Sequence, residues 1–189
     1  RPESAPRAPI EWSRHTFAPS VEQWRAEVER RAGDLPVDPI LEWIRIESDG
    51  NLCSTGIAGR EAGIFQLDFP GDAKYGATYD GLMAQCKRGA KGPQDLSEAE
   101  LDMQVGAGIR KIMAARDTVR GAFAANGVTW PENGFDFGSA VKQIHAAPAV
   151  IIELLSTITK RDGRAPASWA EFRRLSMELP ADQMSGADK

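Results

Sequence analysis

The sequence predicts a mainly α protein, a single helical domain with a loop-rich or small β region set against it. Three observations point there: apolar residues recur at helical spacing in several segments, helix-start signatures precede those segments, and strand-type alternation is sparse. Glycines gather instead at positions 50, 56, 59 and 63, where they punctuate a long loop. At 189 residues, 42% apolar and 26% charged, the chain suits one compact globular domain with ragged ends.

Residues 1–19 hold four of the twelve prolines and little apolar periodicity, so they read as an N-terminal arm or linker pinned locally by Trp12 and Phe17. The domain proper is expected over 20–178, and the polar tail 179–189 is expected to fray. Ser20, with Gln23 three residues on, reads as a helix start; Val21, Trp24 and Val28 follow at helical spacing and Gly33 ends the helix. Asp38-Pro39 is a second start, a cap residue with proline at the first helical position. Ile40, Leu41, Trp43, Ile44 and Ile46 carry that helix to Glu47, and loops then run to about residue 80. Ser97 with Glu100 forms a capping box before Leu101, Val105, Ile109 and Ile112. A further helical stretch over about 111–125 is either continuous with this helix or separate, and Asn126-Gly127 breaks it. The apolar pattern over 139–159 is kinked or split by Pro148. Ser168 with Glu171 opens a last helix bearing Trp169, Phe172 and Leu175.

A net charge of −4 argues against nucleic-acid binding as the main role. No apolar run approaches the length of a membrane-spanning helix. The chain begins at Arg1 without a charged-then-apolar leader, which reads as either a processed secretory protein or a domain cut from a longer one. Cys53 and Cys86 either close one disulfide, stabilising the fold by about 3–4 kcal/mol in an oxidising compartment, or are two buried free thiols. Neither belongs to a short metal-type pair, and the two histidines are far apart, so no metal site is expected. The glycines at 56–63 do not form a phosphate loop, because no Gly-Lys-Ser/Thr follows.

The chemical clue lies at the end of the second helix. Ile40, Ile44 and Glu47 share one face, and Trp43 stands four residues before Glu47. A glutamate thus projects from the apolar side of a helix at its last turn. Burial and the negative end of the helix dipole are both expected to favour its protonated form. Glycosidic cleavage needs such an acid, because an alkoxide leaves poorly unless a proton arrives with it. The plainer reading is a surface glutamate paired with Arg45 or Arg60.

Pro39-Ile40-Leu41-Glu42-Trp43-Ile44-Arg45-Ile46-Glu47-Ser48 resembles the first motif of the lytic transglycosylases related to goose-type lysozyme, in which an apolar helix ends in a catalytic Glu-Ser pair. Gly63-Ile64-Phe65-Gln66-Leu67 is similar to the second motif, Gly-Leu-Met-Gln, at the expected distance. Gln104-Val105-Gly106-Ala107-Gly108-Ile109 looks like a degenerate copy of the third, a helix carrying an Asn and small residues. Gln143-Ile144-His145-Ala146-Ala147-Pro148 stands in the register of the fourth, Ala-Tyr-Asn-Ala-Gly-Pro, with Ile144 and His145 at the Tyr and Asn positions and Ala147 in place of the glycine. The resemblance covers about residues 35–155.

It implies a lysozyme-like fold, mainly α or α+β, with a glycan groove between the Glu47 helix and the 56–80 loops. The implied substrate is the glycan strand of peptidoglycan, cut at the MurNAc–GlcNAc β-1,4 bond without a cofactor. Glu47 would be the acid/base, and Ser48 would support it or contact the sugar. Gly63, Phe65 and Gln66 would line the groove, with Gly63 allowing close approach and the Gln66 amide offering both donor and acceptor. Tyr75 falls where the family's cleft walls lie, and His145 would either bond a sugar, orient Glu47, or serve no chemistry. The setting implied is periplasmic or secreted, as a free protein, an excised domain or a virion component, with room for protein partners in a wall-spanning assembly.

Lytic transglycosylases manage with one carboxylate, because the substrate's acetamido group stabilises the developing cation and its own C6 hydroxyl attacks, giving a 1,6-anhydro end. A hydrolytic muramidase would need a second acid, for which Asp68 and Asp72 are the natural candidates and Glu61, beside Arg60, a poorer one. The divergence at Ile144 and His145 also fits a catalytically silent glycan-binding or scaffold domain. Trp12, Trp24, Trp130 and Trp169 read as core rather than as a sugar-stacking set; Trp130-Pro131, Phe135 and Phe137 are better groove candidates. The basic run 87–91 reads as solvated surface.

Overall fold

The computed structural model describes residues 16–57, 59–127, 148–167 and 169–180. The fold is mainly helical. Helix α1 (Pro19–Glu22) is one turn, started by a proline at its first position, where a missing N–H removes no hydrogen bond. Its cap is Ala18 and Ser20 lies inside it, so the predicted cap at Ser20 is corrected: the Gln23 side chain donates to the Ser20 carbonyl at 2.9 Å instead. The chain turns at Gln23–Trp24 and resumes as α2 (Arg25–Arg31), with Gly33 following in the left-handed region. Phe17 is half-buried, with the Arg25 guanidinium 5.9 Å above its ring.

Helix α3 (Val37–Ser48) begins two residues before the predicted proline, capped at Pro36. Asp38 sits in its first turn and accepts from Arg25 at 2.7 Å, which is why the side chain is not spent on a cap. Ile40, Leu41, Trp43 and Ile44 are buried, while Ile46 faces outward. That split follows from the 100° step of the helix: position 46 lies on the side opposite 44. Asp49 ends α3 in the left-handed region, and Gly50 follows with φ 76°. A Cβ at Gly50 would stand 2.0 Å from the Ser20 carbonyl oxygen, so only glycine lets the end of α3 lie this close to α1. The fully buried Trp24 ring closes the junction, its Nε1 donating to the Gly50 carbonyl at 2.8 Å.

The loop region folds around a two-stranded antiparallel sheet, β1 (Glu61–Ala62) and β2 (Leu67–Asp68), with Glu61 opposite Asp68. A 3-10 helix (Gly71–Tyr75) follows, then α4 (Tyr79–Lys87), an element the periodicity reading did not supply. Thr78 caps α4, its hydroxyl accepting from Gly81 N at 3.0 Å. Cys53 and Cys86 are joined in a disulfide with Cα atoms 5.2 Å apart, which fastens the loop after α3 to the end of α4.

The Ser97–Glu100 capping box opens α5 (Glu98–Leu101) as predicted. The Arg88 guanidinium, and then the Ser97 backbone N–H, hold the Glu100 carboxyl down at about 2, from a usual 4.5. The stabilisation this brings is fully present above pH 4.5 and is lost progressively as pH falls from there through about 2. After α5 the chain makes a π-turn (Asp102–Gly106) and continues without a break into α6 (Ala107–Ala125), so the two helical stretches are one rod. Val105, Ile109 and Ile112 are its buried stripe. Helix α7 (Pro148–Asp162) packs on α6, and the 139–147 part of the predicted stretch lies outside the described residues; α8 (Trp169–Met177) packs on α7. One apolar cluster runs through these helices and under the hairpin. Among the described residues no helix is long and apolar enough to cross a membrane.

The arm 1–15, the loop 128–138, the Gln143–Ala147 stretch with Ile144 and His145, Ser168 and the tail 181–189 lie outside the described residues, as do Trp12, Trp130, Pro131, Phe135 and Phe137.

Candidate active site

Glu47 stands one residue before the end of α3, half-buried, on a helix locked into the core by Ile40 and Ile44. Arg45 and Arg60, the two arginines expected as its partners, are engaged elsewhere. Arg45 turns back to Glu42, at 2.7 Å from each of its carboxylate oxygens, and Arg60 grips Asp68 through two bonds of 3.1 and 2.8 Å. Among the described residues no ion pair or hydrogen bond reaches the Glu47 carboxylate.

Beside the end of α3 lies the turn 63–66, and a closed set of hydrogen bonds ties the two together. The Ser48 hydroxyl donates to the Ile64 carbonyl at 2.8 Å, with the Ile44 carbonyl 3.1 Å away, and accepts from Gly50 N at 3.2 Å. Ser54 spans the gap: its hydroxyl donates to the Ser48 carbonyl at 3.4 Å, and its own carbonyl accepts from Gly63 N at 3.1 Å and Gln66 Nε2 at 2.9 Å. Ser48 is therefore a tie between helix and turn. Its hydroxyl is occupied by protein partners, which favours support of Glu47 over contact with a sugar.

Gln66 sits at φ 47°, a conformation that costs a residue with a side chain about 1 kcal/mol or more and persists only when its surroundings enforce it. The enforcement is visible. Its backbone N–H and one side-chain N–H both go to the Gly63 carbonyl, at 3.1 and 2.7 Å, and the other side-chain N–H goes to Ser54. The expectation that this amide offers a donor as well as an acceptor is corrected: both donors are spent, and the Oε1 acceptor is what it can present.

Phe65 is also corrected. It is 1% exposed, its ring centroid 4.4 Å from that of Trp43 and its edge so close to Gly108 that a Cβ there would stand 2.2 Å away. It is core packing, and so is Trp24. Gly63 is buried too; its close approach is to the Gln104 side chain, whose Oε1 would lie 2.8 Å from a Cβ, and not to open space. Tyr75 is half-buried at the end of the 3-10 helix, and its contacts run to α6 and to Lys74: its carbonyl accepts from Arg110 Nε at 2.8 Å, and the Lys74 ammonium stands 5.2 Å from its ring.

The two acids proposed as second carboxylates are both committed. Asp68 is bound by Arg60. Asp72 is 7% exposed, accepts from Asp68 N at 2.8 Å, and is paired with Lys111 of α6 at 2.6 Å, so it fastens the turn after β2. Glu61 folds back on the preceding turn, its Oε2 accepting from Ile57 N at 3.2 Å. Among the described residues no group of three or more His, Cys, Asp or Glu gathers as a metal site.

Three residues that hold this arrangement act on partners far away in the sequence, and two of them, Ser54 and Lys111, carry no local signal. Ser54 and Lys111 act on partners 12 and 39 positions away, and Gln104 acts across 40. Only Gln104 had any prior mark, as part of the third motif. No family model, curated protein or solved structure matches the chain.

Proposed function

We propose that this chain is a peptidoglycan lytic transglycosylase of lysozyme-like fold, related to the goose-type lysozyme group, and that Glu47 is its single acid/base. The observation that carries the reading is the isolation of one carboxylate. Of the four acids weighed, Glu61, Asp68 and Asp72 are each held by protein donors, whereas Glu47, at a helix end beside the Gln66 turn, has no such partner among the described residues.

In the reaction, Glu47 gives its proton to the bridging oxygen between MurNAc and GlcNAc as that C–O bond breaks. The substrate's acetamido oxygen stabilises the positive charge left at the muramic C1. Glu47, now a carboxylate, takes the proton from the C6 hydroxyl of the same sugar, whose oxygen bonds to C1 and closes the 1,6-anhydro ring. The tethered hydroxyl has a high effective concentration, so no second carboxylate is needed to activate water. Gln66 Oε1 accepts from a hydroxyl or amide N–H of the bound strand. The Cys53–Cys86 bond supports an oxidising setting, periplasmic or secreted.

Digestion of purified sacculi followed by mass spectrometry of the released fragments tests this. Anhydro-muropeptides are the expected product. Reducing ends would mean hydrolysis, and binding without release would mean a silent glycan-binding module. Glu47→Gln should cut release by at least about 100-fold while leaving the fold intact; undiminished release in that variant would remove the assignment.

A further inference from the structure

Resting on that reading, we propose that Gln104 is a positioning residue for the reaction: from the π-turn between α5 and α6 it fixes the Gly63–Gln66 turn against the helix end that carries Glu47. Gln104 is 1% exposed, and its Oε1 accepts from Ile64 N at 3.2 Å. The orientation of the amide follows from its partner, since a backbone N–H only donates and the atom facing it must be oxygen. The carbonyl of the same residue, Ile64, accepts from Ser48 of α3. Ile64 is thus gripped from two sides, its N–H by the rod 98–125 and its C=O by the residue next to Glu47.

Two further features fit a placing role better than a space-filling one. Gln104 Nε2 is buried without a hydrogen-bond partner among the described residues. A methionine of similar length would fill the same volume without that unmet donor, so the advantage of glutamine here is its acceptor. The residue also lies inside the π-turn Asp102–Gly106, an irregularity that re-aims the side chains of a helix and recurs at functional sites. The downstream effect falls on Gln66, held in its left-handed conformation by the same turn that Gln104 and Ser48 fix.

The test uses Gln104→Met, which keeps volume and loses the acceptor, and Gln104→Glu, which keeps an acceptor oxygen. Turnover is measured on solubilised, uncrosslinked glycan strands at pH 5, beside the wild-type chain and Glu47→Gln. Gln104→Met is expected to remain folded and to lose kcat by up to about 100-fold, the scale of a misplaced catalytic geometry, with a smaller change in KM. Gln104→Glu should recover most of that loss. Amide exchange at Ile64 in Gln104→Met should quicken by about tenfold, the value of one hydrogen bond, while exchange in α6 stays put. Wild-type kcat in Gln104→Met, equal losses in the two variants, or unchanged exchange at Ile64 would each overturn the inference. A wild-type chain that releases nothing would instead sink the preceding reading, and the exchange measurement would still decide whether Gln104 holds the turn.

Discussion

At the end of α3 a carboxylate stands without a cation among the described residues; further along, between Arg60 and Tyr75, each acid weighed as its partner is bonded to the protein. The two regions touch and share hydrogen bonds, yet they use the same functional group for opposite ends. In the hairpin, Asp68 and Asp72 serve shape: one is clamped across the strand by Arg60, the other is buried under Lys111 and caps the backbone of Asp68. In the helix, Glu47 contributes nothing visible to shape. A carboxylate that builds structure has its lone pairs and charge satisfied, and one that does chemistry must keep them available to a substrate. On the proposed assignment, position in a loop region is a poorer guide to the reacting acid than the partners each acid holds.

The contrast can be broken from the structural side. Lys111→Met leaves Asp72 buried and unpaired, and should cost about 3 kcal/mol or more in denaturant unfolding, because an uncompensated charge is worse than no pair at all. A variant within about 0.5 kcal/mol of wild type would mean that Asp72 does not depend on α6. Removing the Cys53–Cys86 tether, as Cys53→Ser with Cys86→Ser, should lower stability by about 3–4 kcal/mol on the loop-closure estimate, seen as an earlier unfolding midpoint. If midpoints of oxidised and reduced wild type coincide, the hairpin region is held by its hydrogen bonds alone. The smallest effect belongs to Asp68→Asn. Its ion pair is half-exposed, so the loss should stay below about 1 kcal/mol. Release of anhydro-muropeptides by that variant should remain within a few-fold of wild type, and a collapse in release would transfer the second-carboxylate role to Asp68.

Much of the helical frame was legible in the residues. The Ile40–Ile44 stripe leading to Glu47 and the Ser97–Glu100 capping box are local patterns, and the structure forms both at those positions. Starts set by tertiary partners were misread: Asp38 looks like a cap but serves Arg25, and Ser20 looks like a cap but lies inside a turn begun by Pro19. Helix α4 escaped notice because its first turn holds a glycine and its buried residues, Leu82 and Gln85, make no apolar period. The site divides the same way. Glu47 and Gln66 stand out in the sequence as motif positions. Whether Phe65 points into solvent or into the core depends on Gly108 and Trp43, residues 43 and 22 positions away that no local pattern connects to it.

The glycine at position 50 has a practical corollary. Because the backbone there rests on Ser20 and is latched by Trp24, the N-terminal turns act as a buttress for the Glu47 end of α3. A shortened chain starting at residue 33 would retain every motif residue and still present Glu47 on an unbraced stub. Trimming experiments on this protein should accordingly spare everything from Phe17 onward, even though none of the motif residues lies before Asp38.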